Sequence, residues 1–276
     1  MRNWEVTLPF IQAGDIELYF QTAGEGTKLL FISGSSADLR IKPNMFDGPL
    51  AKNFELVSYD QRGLGQSDKP DWPYTIADFA SDAVNFMDAG GWEKAHILGY
   101  SFGGMVAQEL AIRYPNRVDK LVLCATSSGG EGGRSYPLHE LEDMPVKHRI
   151  RIGTQISDTR CDEAWQGKNP DAMVEHARNA GAIRRLYGKE ANFNIGREHL
   201  MEARRYHDCW DRLREITAET LVCGGRYDGI APPTNQEALA SQIPNARLEM
   251  FEGGHIFIAQ DKSAHVKIIE FLLEEK

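Results

Sequence analysis

Three residues of this 276-residue chain have the types and settings that nucleophilic catalysis requires. Ser101 lies at the centre of a G-x-S-x-G motif, and Asp228 and His255 each follow a later apolar run, in glycine-containing turns. A serine hydroxyl is a poor nucleophile until a histidine takes its proton, and that histidine needs a carboxylate to fix its tautomer. The sequence therefore predicts a catalytic triad of Ser101, His255 and Asp228.

The motif around Ser101 has the strand–turn–helix setting of a nucleophile elbow. The apolar run at residues 95–98 predicts a strand, and the pattern from Met105 onward predicts a helix. Gly99 and Gly103 flank the serine where the strand and helix backbones come too close for a β-carbon. The alternative is a chance motif in which Ser101 only caps the helix, and the presence of two suitable partners disfavours it.

The choice of base and acid rests on position along the chain. Of the eight histidines, only His255 follows a terminal strand in a glycine-rich turn, although a surface-loop histidine is the alternative interpretation. Asp228 lies one tight turn after a predicted buried strand. Its rivals, Asp208 and Asp211, lie near the end of a long helical segment, so Asp228 is the favoured acid.

Eight apolar runs predict the strands that must position these residues. A hairpin over residues 7–22 is followed by runs at residues 29–32, 54–59, 95–98, 118–125, 220–223 and 247–251. Helical patterns alternate with most of these runs, which predicts an α/β fold with a mostly parallel central sheet flanked by helices. Open sheets of this kind place their sites beyond the carboxyl ends of the strands, where all three triad candidates lie.

One long segment interrupts the alternation. No strand is predicted from Ser127 to His207, and helical patterns occur at residues 144–156, 171–186 and 197–207. This segment exceeds any ordinary crossover. We therefore expect a helical cap at residues 127–207 over a core formed by residues 1–126 and 208–276, with long helices beside the sheet as the alternative. Two aromatic residues of the cap, Trp165 and Tyr187, are expected to line the substrate pocket.

The loop after the fourth strand, at residues 60–68, is dense in glycine and charge. Asp60 and Arg62 could be catalytic, but an ion pair and hydrogen bonds that hold the turn are the favoured interpretation. The helix that follows is predicted to begin after Thr75, the N-cap of a capping box closed by Asp78. The pair of glycines at residues 90–91 predicts its end.

Composition and charge argue against several classes of protein. The net charge of −9 disfavours a nucleic-acid groove or an anionic membrane surface as partner. No apolar run is long enough for a transmembrane helix, and the first residues lack the apolar core of a signal peptide, so we expect a cytoplasmic location. The four cysteines lack metal-ligand spacing, and Cys124 and Cys223 are expected to be reduced core residues. We expect no metal ion and no organic cofactor.

Four motifs together resemble the α/β-hydrolase fold family over nearly the whole chain. They are G-Y-S-F-G-G at residues 99–104, D-Q-R-G-L-G-Q-S-D at 60–68, G-R-Y-D-G-I-A-P-P at 225–233 and G-G-H at 253–255. The resemblance implies an oxyanion hole formed by the backbone N–H groups of Phe102 and Ser35. Gly34, Ser36 and Tyr100, which neighbour these donors and the nucleophile, are expected to line the substrate pocket.

One departure from the family pattern concerns the loop of the expected oxyanion hole, whose role it leaves unchanged because backbone amides are the donors. Ser33-Gly34 stands where many members carry His-Gly, and a similar replacement occurs in the enol-lactone hydrolases of aromatic-acid degradation, which this chain also resembles in size. The expected protein is a serine hydrolase of a small carboxylic ester or lactone, active as a monomer or homodimer through an acyl-enzyme. Carbon–carbon bond hydrolases of ring-cleavage products, thioesterases and acyltransferases share the triad and stay open, as does a ligand receptor on this scaffold. Ser101 excludes members with an Asp nucleophile.

Overall fold

A single eight-stranded sheet forms the centre of the structure, a computed structural model that describes residues 9–275. All eight predicted strands are present, although residues 7 and 8 of the predicted hairpin lie outside the described residues. The strands are β1 (Phe10–Ala13), β2 (Ile16–Ala23), β3 (Lys28–Ile32), β4 (Glu55–Tyr59), β5 (Ala95–Tyr100), β6 (Val118–Cys124), β7 (Glu219–Gly225) and β8 (Ala246–Phe251). Their order across the sheet is β1-β2-β4-β3-β5-β6-β7-β8. Strands β3 to β8 run parallel, and the β1–β2 and β2–β4 pairs are antiparallel.

Ten α-helices accompany the sheet within residues 9–275. They are α1 (Ile76–Ala89), α2 (Phe102–Arg113), α3 (Val146–Ser157), α4 (Glu163–Lys168), α5 (Pro170–Ala180), α6 (Ala182–Tyr187), α7 (Phe193–Arg205), α8 (Pro233–Gln242), α9 (Phe257–Gln260) and α10 (Lys262–Leu273). Short 3₁₀ helices occur in several connections. No helix in this described range is long and apolar enough to span a membrane.

The central strands are buried on both faces, which explains their continuous apolar runs. In β5, Ile97 packs into the core beneath α1, α2 and α8, whereas its neighbour Leu98 packs into the core beneath α10. Both residues are fully buried. The mostly parallel α/β architecture predicted from the sequence is therefore confirmed.

The connection from β6 to β7 contains helices α3 to α7. Two predicted helices there are confirmed with small shifts, because residues 144–156 and 197–207 correspond to α3 and α7. The single helix predicted over residues 171–186 is wrong: it is divided at Gly181 into α5 and α6, and α4 was not predicted. Gly181 serves as the C-cap of α5 and the N-cap of α6, so the helix is interrupted there.

The predicted cap helices contact the loops at the carboxyl edge of the sheet. The carbonyl oxygen of Ile156, near the end of α3, accepts a hydrogen bond of 2.9 Å from Gly229 N, in the loop after β7. At Gly196 of α7, the backbone lies so close to Gly63 that a β-carbon on either residue would overlap the other main chain. Both contacts place α3 and α7 against the edge that carries the triad candidates.

The loop after β4 has the structural role favoured by the sequence. Arg62 Nε and Nη2 each donate a hydrogen bond of 2.6 Å to the carboxylate of Asp82 on α1, and both side chains are buried. Asp60 accepts hydrogen bonds from the backbone N–H groups of Leu39, at 2.8 Å, and Gln66, at 2.9 Å. Burial raises the pKa of Asp60 and of Asp82 to about 6. These bonds join the loops after β3 and β4 to each other and to α1.

The capping box of α1 is also present as predicted. The hydroxyl of Thr75 accepts from Asp78 N, and the carboxylate of Asp78 accepts from Thr75 N at 2.7 Å. All four cysteines are free, and Cys124 and Cys223 are fully buried in the sheet. Across residues 9–275 no group of three or more His, Cys, Asp or Glu side chains has a metal-binding arrangement.

Candidate active site

Ser101 occupies a sharp turn between β5 and α2. Its backbone angles are φ 55° and ψ −116°, a region that residues other than glycine rarely adopt. A β-carbon on Gly103 would overlap the carbonyl oxygen of Ile32 in β3, and one on Gly99 would lie 2.7 Å from Ala107 Cβ. The two glycines therefore allow α2 to pack directly against the sheet and the serine to stand at its edge.

The three triad candidates form one hydrogen-bonded chain. His255 Nε2 lies 2.9 Å from Ser101 Oγ, and His255 Nδ1 lies 2.8 Å from Asp228 Oδ2. The side chain of Asp228 is fully buried, and that of His255 is 12 % exposed. The histidine thus reaches both a hydroxyl and a carboxylate while one edge of its ring remains open to a substrate.

The second carboxylate oxygen of Asp228 is held by the main chain. Asp228 Oδ1 accepts hydrogen bonds from Ile230 N at 2.8 Å and Ala231 N at 2.9 Å. Because these donors bind the ionised form, they fix the carboxylate with Oδ2 directed at the imidazole. The rival acid, Asp208, instead accepts from Trp210 N beyond the end of α7.

The main chain of His255 is fixed at both polar groups. Its N–H donates to Ser157 O at 2.6 Å, and its carbonyl oxygen accepts from the hydroxyl of Tyr100. The ring of Tyr100 stacks on Phe257, with 6.1 Å between the centroids. The structure therefore places Tyr100 in support of His255. Ser157, at the end of α3, is a supporting residue that the sequence analysis missed.

The loop at residues 33–36 lies beside the nucleophile. A β-carbon on Gly34 would lie 3.5 Å from Ser101 Cβ, and Ser33 O accepts a 2.6 Å hydrogen bond from Gln61 Nε2. Ser35 is buried and Ser36 is exposed. Within residues 9–275, neither Ser35 N nor Phe102 N donates to another oxygen. Phe102 is the first residue of α2, where an N–H has no intrahelical acceptor. Both amides are thus available to an external oxygen. Gln61, which holds the main chain of this loop at Ser33, is a second supporting residue that the sequence analysis missed.

The two aromatic residues of the predicted pocket lie in the predicted cap, with Trp165 in α4 and Tyr187 at the end of α6. The guanidinium of Arg40 stacks over the ring of Tyr187 at 3.4 Å from its centroid and forms ion pairs with Asp38 and Glu190. Tyr187 therefore lies where α6 meets the segment that follows residues 33–36. Trp165 packs beside the ring of His176, with 6.3 Å between centroids, inside the group of α4 and α5.

Comparison with known proteins decides the family. Residues 28–146 match the family model described as alpha/beta hydrolase fold, and the chain is 31 % identical over 247 residues to the putative carbamate hydrolase RutD of Caulobacter segnis. That match covers 81 % of this chain and 83 % of the relative. The chain belongs to the α/β-hydrolase fold family. The predicted resemblance and fold class are confirmed.

Two further proteins extend the comparison. The poly(3-hydroxyalkanoate) depolymerase of Ectopseudomonas oleovorans is 28 % identical over 260 residues, which covers 91 % of this chain and 86 % of that protein. The crystal structure of the enol-lactonase from Burkholderia xenovorans LB400 superposes with a TM-score of 0.75 over 97 % of this chain and 100 % of the other, at 23 % identity. The latter similarity shows the shared fold. Family membership and the names of the sequence relatives together support hydrolase activity.

Proposed function

We propose that the protein is a serine hydrolase that cleaves a small carboxylic ester or lactone through an acyl-enzyme. The observation that carries this proposal is the continuous hydrogen-bonded chain from Ser101 Oγ through the imidazole of His255 to the buried carboxylate of Asp228. Such a chain generates a strong nucleophile and a proton carrier at the same point, which acyl transfer requires.

In the first half of the reaction, Ser101 Oγ attacks the carbonyl carbon while His255 Nε2 takes the hydroxyl proton. Asp228 stabilises the imidazolium that forms and keeps Nδ1 protonated. The Ser35 and Phe102 amides donate to the oxygen that becomes negative, and each such donor contributes a factor of about 10²–10³ to the rate. The imidazolium then protonates the leaving alkoxide, and the C–O bond breaks to leave an acyl-Ser101.

In the second half, water replaces the alcohol. His255 Nε2 takes a proton from water as the oxygen attacks the acyl carbon, and it returns that proton to Ser101 Oγ as the carboxylic acid leaves. With a lactone, the alcohol stays attached to the acyl group, so one hydroxy acid is released. The same residues serve both halves, which is why a single histidine suffices.

A substrate panel on matched variants tests the proposal. We expect Ser101-dependent turnover of p-nitrophenyl esters and lactones, and a fall in kcat of about 10⁴-fold or more in Ser101→Ala. A fluorophosphonate should label Ser101 faster than Ser33, Ser35 or Ser36, as read by peptide mass spectrometry. Equal labelling of a loop serine, or turnover that survives Ser101→Ala, contradicts the proposal.

The same panel separates the other reactions that this triad supports. It includes thioesters, vinylogous 1,5-diketones for carbon–carbon cleavage, acyl acceptors for transfer, and carbamates because of the Caulobacter segnis relative. The reaction with the highest Ser101-dependent kcat/KM identifies the bond that is cleaved. A ligand that binds without repeated turnover would instead indicate a receptor.

A further inference from the structure

A polar cavity of about 230 Å³ reaches Met105, one helical turn after the nucleophile elbow, and has no role in the proposed chemistry. Its inner wall includes Met105 of α2 and Ser127, which follows β6. Its other walls come from the segment before α3 and from the end of α7, and they include Arg134, His139 and Arg204. The cavity thus lies between the core and the predicted cap.

Arg204 is the most unusual residue of this cavity. It is 6 % exposed, and its Nη2 donates to Ser135 Oγ at 2.7 Å and to Tyr136 O at 2.9 Å. No Asp or Glu among residues 9–275 forms an ion pair with it. Burial lowers its pKa to about 10, so the guanidinium is still charged at neutral pH. A buried cation without an anion is unfavourable unless a ligand supplies the anion.

The other groups around the cavity add to this imbalance. Arg134 and Arg205 also line it, and Glu140 is its single acidic lining residue; all three of these side chains are exposed. His139 Nδ1 is enclosed and has no hydrogen-bond partner among the described residues. Three arginines against one carboxylate, together with an unused imidazole nitrogen, give the cavity the charge and hydrogen-bonding capacity to bind an anion.

We propose that this cavity binds a carboxylate group of the substrate, so that the preferred ester or lactone is itself an acid. The inference rests on the proposed hydrolase function. A guanidinium presents parallel N–H groups that match the two oxygens of a carboxylate. Met105 lies four residues after Ser101 in α2, a rise of about 6 Å along the helix axis. The lining residue Ser127 follows Thr126, whose hydroxyl donates to Ser101 O at 2.8 Å. We therefore expect a short carbon chain between the bound carboxylate and the carbonyl that Ser101 attacks.

The first test measures binding without catalysis. Glutarate is titrated calorimetrically into full-length Ser101→Ala protein, alone and combined with Arg204→Gln, Arg134→Gln or Arg185→Gln. We expect Arg204→Gln to weaken binding by about tenfold or more, as loss of a charged hydrogen-bond donor does. Arg134→Gln changes an exposed side chain and should weaken binding severalfold without a folding defect. Arg185→Gln, on α6 and away from the cavity lining, is the matched control and should bind as its parent.

The second test measures preference between two esters of similar length. These are the mono-p-nitrophenyl ester of glutaric acid and p-nitrophenyl valerate, which lacks the carboxylate. We expect a higher kcat/KM for the acidic ester, and a fall of about tenfold or more in the acidic-to-neutral ratio in Arg204→Gln, mostly through KM. Arg185→Gln should keep the ratio.

The outcomes separate this inference from the function on which it rests. If neither ester is cleaved in a Ser101-dependent way, the proposed function fails, and the glutarate titration still decides whether the cavity binds a carboxylate. If p-nitrophenyl valerate is cleaved but the acidic ester is not preferred, or if Arg134→Gln and Arg204→Gln bind glutarate as their parent does, the inference fails alone. Glutarate that binds without competing against p-nitrophenyl valerate overturns the assignment to the substrate.

Discussion

At Asp228, each carboxylate oxygen has a separate task. Oδ1 accepts two backbone amides and Oδ2 accepts from His255, so the carboxylate cannot rotate without losing hydrogen bonds. An asparagine at this position presents an N–H₂ group either to the amides or to the imidazole. An N–H₂ group that faces the backbone amides places donor against donor. An N–H₂ group that faces the imidazole requires Nδ1 to accept, which is the wrong tautomer of His255.

Asp228→Asn should therefore lower kcat by about 10²–10⁴-fold and change KM little, since substrate contacts are unaffected. The measurement is steady-state kinetics on the best ester of the panel. Asp208→Asn is the control, because this rival aspartate caps the turn at Trp210 and has no contact with His255. A large loss in Asp208→Asn with a normal rate in Asp228→Asn would show that the acid has been wrongly assigned.

His207 makes the stability of the protein depend on pH. Burial, the largest cause, lowers its pKa from 6.5 to about 4, so the folded protein holds the imidazole neutral. The unfolded chain then binds a proton more readily than the folded one. The stability that the neutral form contributes is complete above pH 6.5 and is lost as the pH falls from 6.5 to about 4.

His207→Gln should remove this dependence, which amounts to about 3 kcal/mol over the whole window. Urea unfolding at several pH values between 4.5 and 7.5 measures it, as the slope of the free energy of unfolding against pH. His148→Gln, on the exposed surface of α3, is the control. Parallel slopes for wild type and His207→Gln would show that other groups cause the loss.

At the scale of elements, the junction of β5 and α2 depends on the absence of a side chain. Gly103→Ala places a β-carbon on the carbonyl oxygen of Ile32, so α2 must move away from β3. Because the loop after β3 and the first residue of α2 also carry the two predicted oxyanion donors, this displacement should lower both the melting temperature and kcat. Gly153→Ala in α3 is the control variant, since its β-carbon would meet no described atom within 4 Å.

We expect Gly153→Ala to stabilise the protein by about 0.5–1 kcal/mol through helix propensity alone. Gly103→Ala should instead destabilise it by about 1–3 kcal/mol, as overpacking does in cores. Thermal unfolding of both variants, monitored by circular dichroism, shows whether each is more or less stable than wild type. A Gly103→Ala protein as stable and active as wild type would contradict the packing argument.

The elements that the sequence predicts best are those whose local pattern agrees with their final surroundings. The runs that form β3 to β8 are apolar because both faces are covered, and the α1 capping box needs only residues three apart. The division of α5 from α6 was missed because Gly181 is tolerated within a helical pattern. The bond from His255 N to Ser157 O joins residues far apart in the chain, so no periodicity reveals it.

The candidate site likewise contains features that the sequence predicts and features that it does not. Their order, and their positions after β5, β7 and β8, follow from strand prediction together with the rule for open sheets. The supports at Gln61 and Ser157 and the unpaired Arg204 depend on how the loops and the predicted cap pack. That packing is set by contacts between segments that are far apart in the sequence, and residue type and spacing do not reveal such contacts.

At the scale of the whole molecule, α6 and the segment after β3 are joined by one cluster. Arg40 stacks on Tyr187 and bridges Asp38 of the core and Glu190 of the predicted cap. Since Arg40 follows residues 33–36 closely, we expect movement of α6 to be linked to movement of that loop. Trp165 of α4, in contrast, packs with His176 of α5.

Tyr187→Ala should therefore raise KM and change the ranking of acyl chain lengths, while turnover of p-nitrophenyl acetate changes much less. Closure over a longer acyl group uses the contact between α6 and the core, whereas the small ester needs little of it. Kinetics on a series of p-nitrophenyl esters from acetate to octanoate measures the effect. An equal loss on every ester, acetate included, would place chemistry in the predicted cap.

The backbone angle at Ser101 has a practical consequence. A residue with a β-carbon at φ 55° and ψ −116° is strained by about 1–3 kcal/mol, and only glycine is relieved of it. Ser101→Gly should melt about 2 °C or more above Ser101→Ala, although both lack the nucleophile. Equal melting temperatures would show that the turn is unstrained. The glycine variant is accordingly the one to choose for crystallography with an intact bound ester, because it lacks the nucleophile and should be more stable than Ser101→Ala.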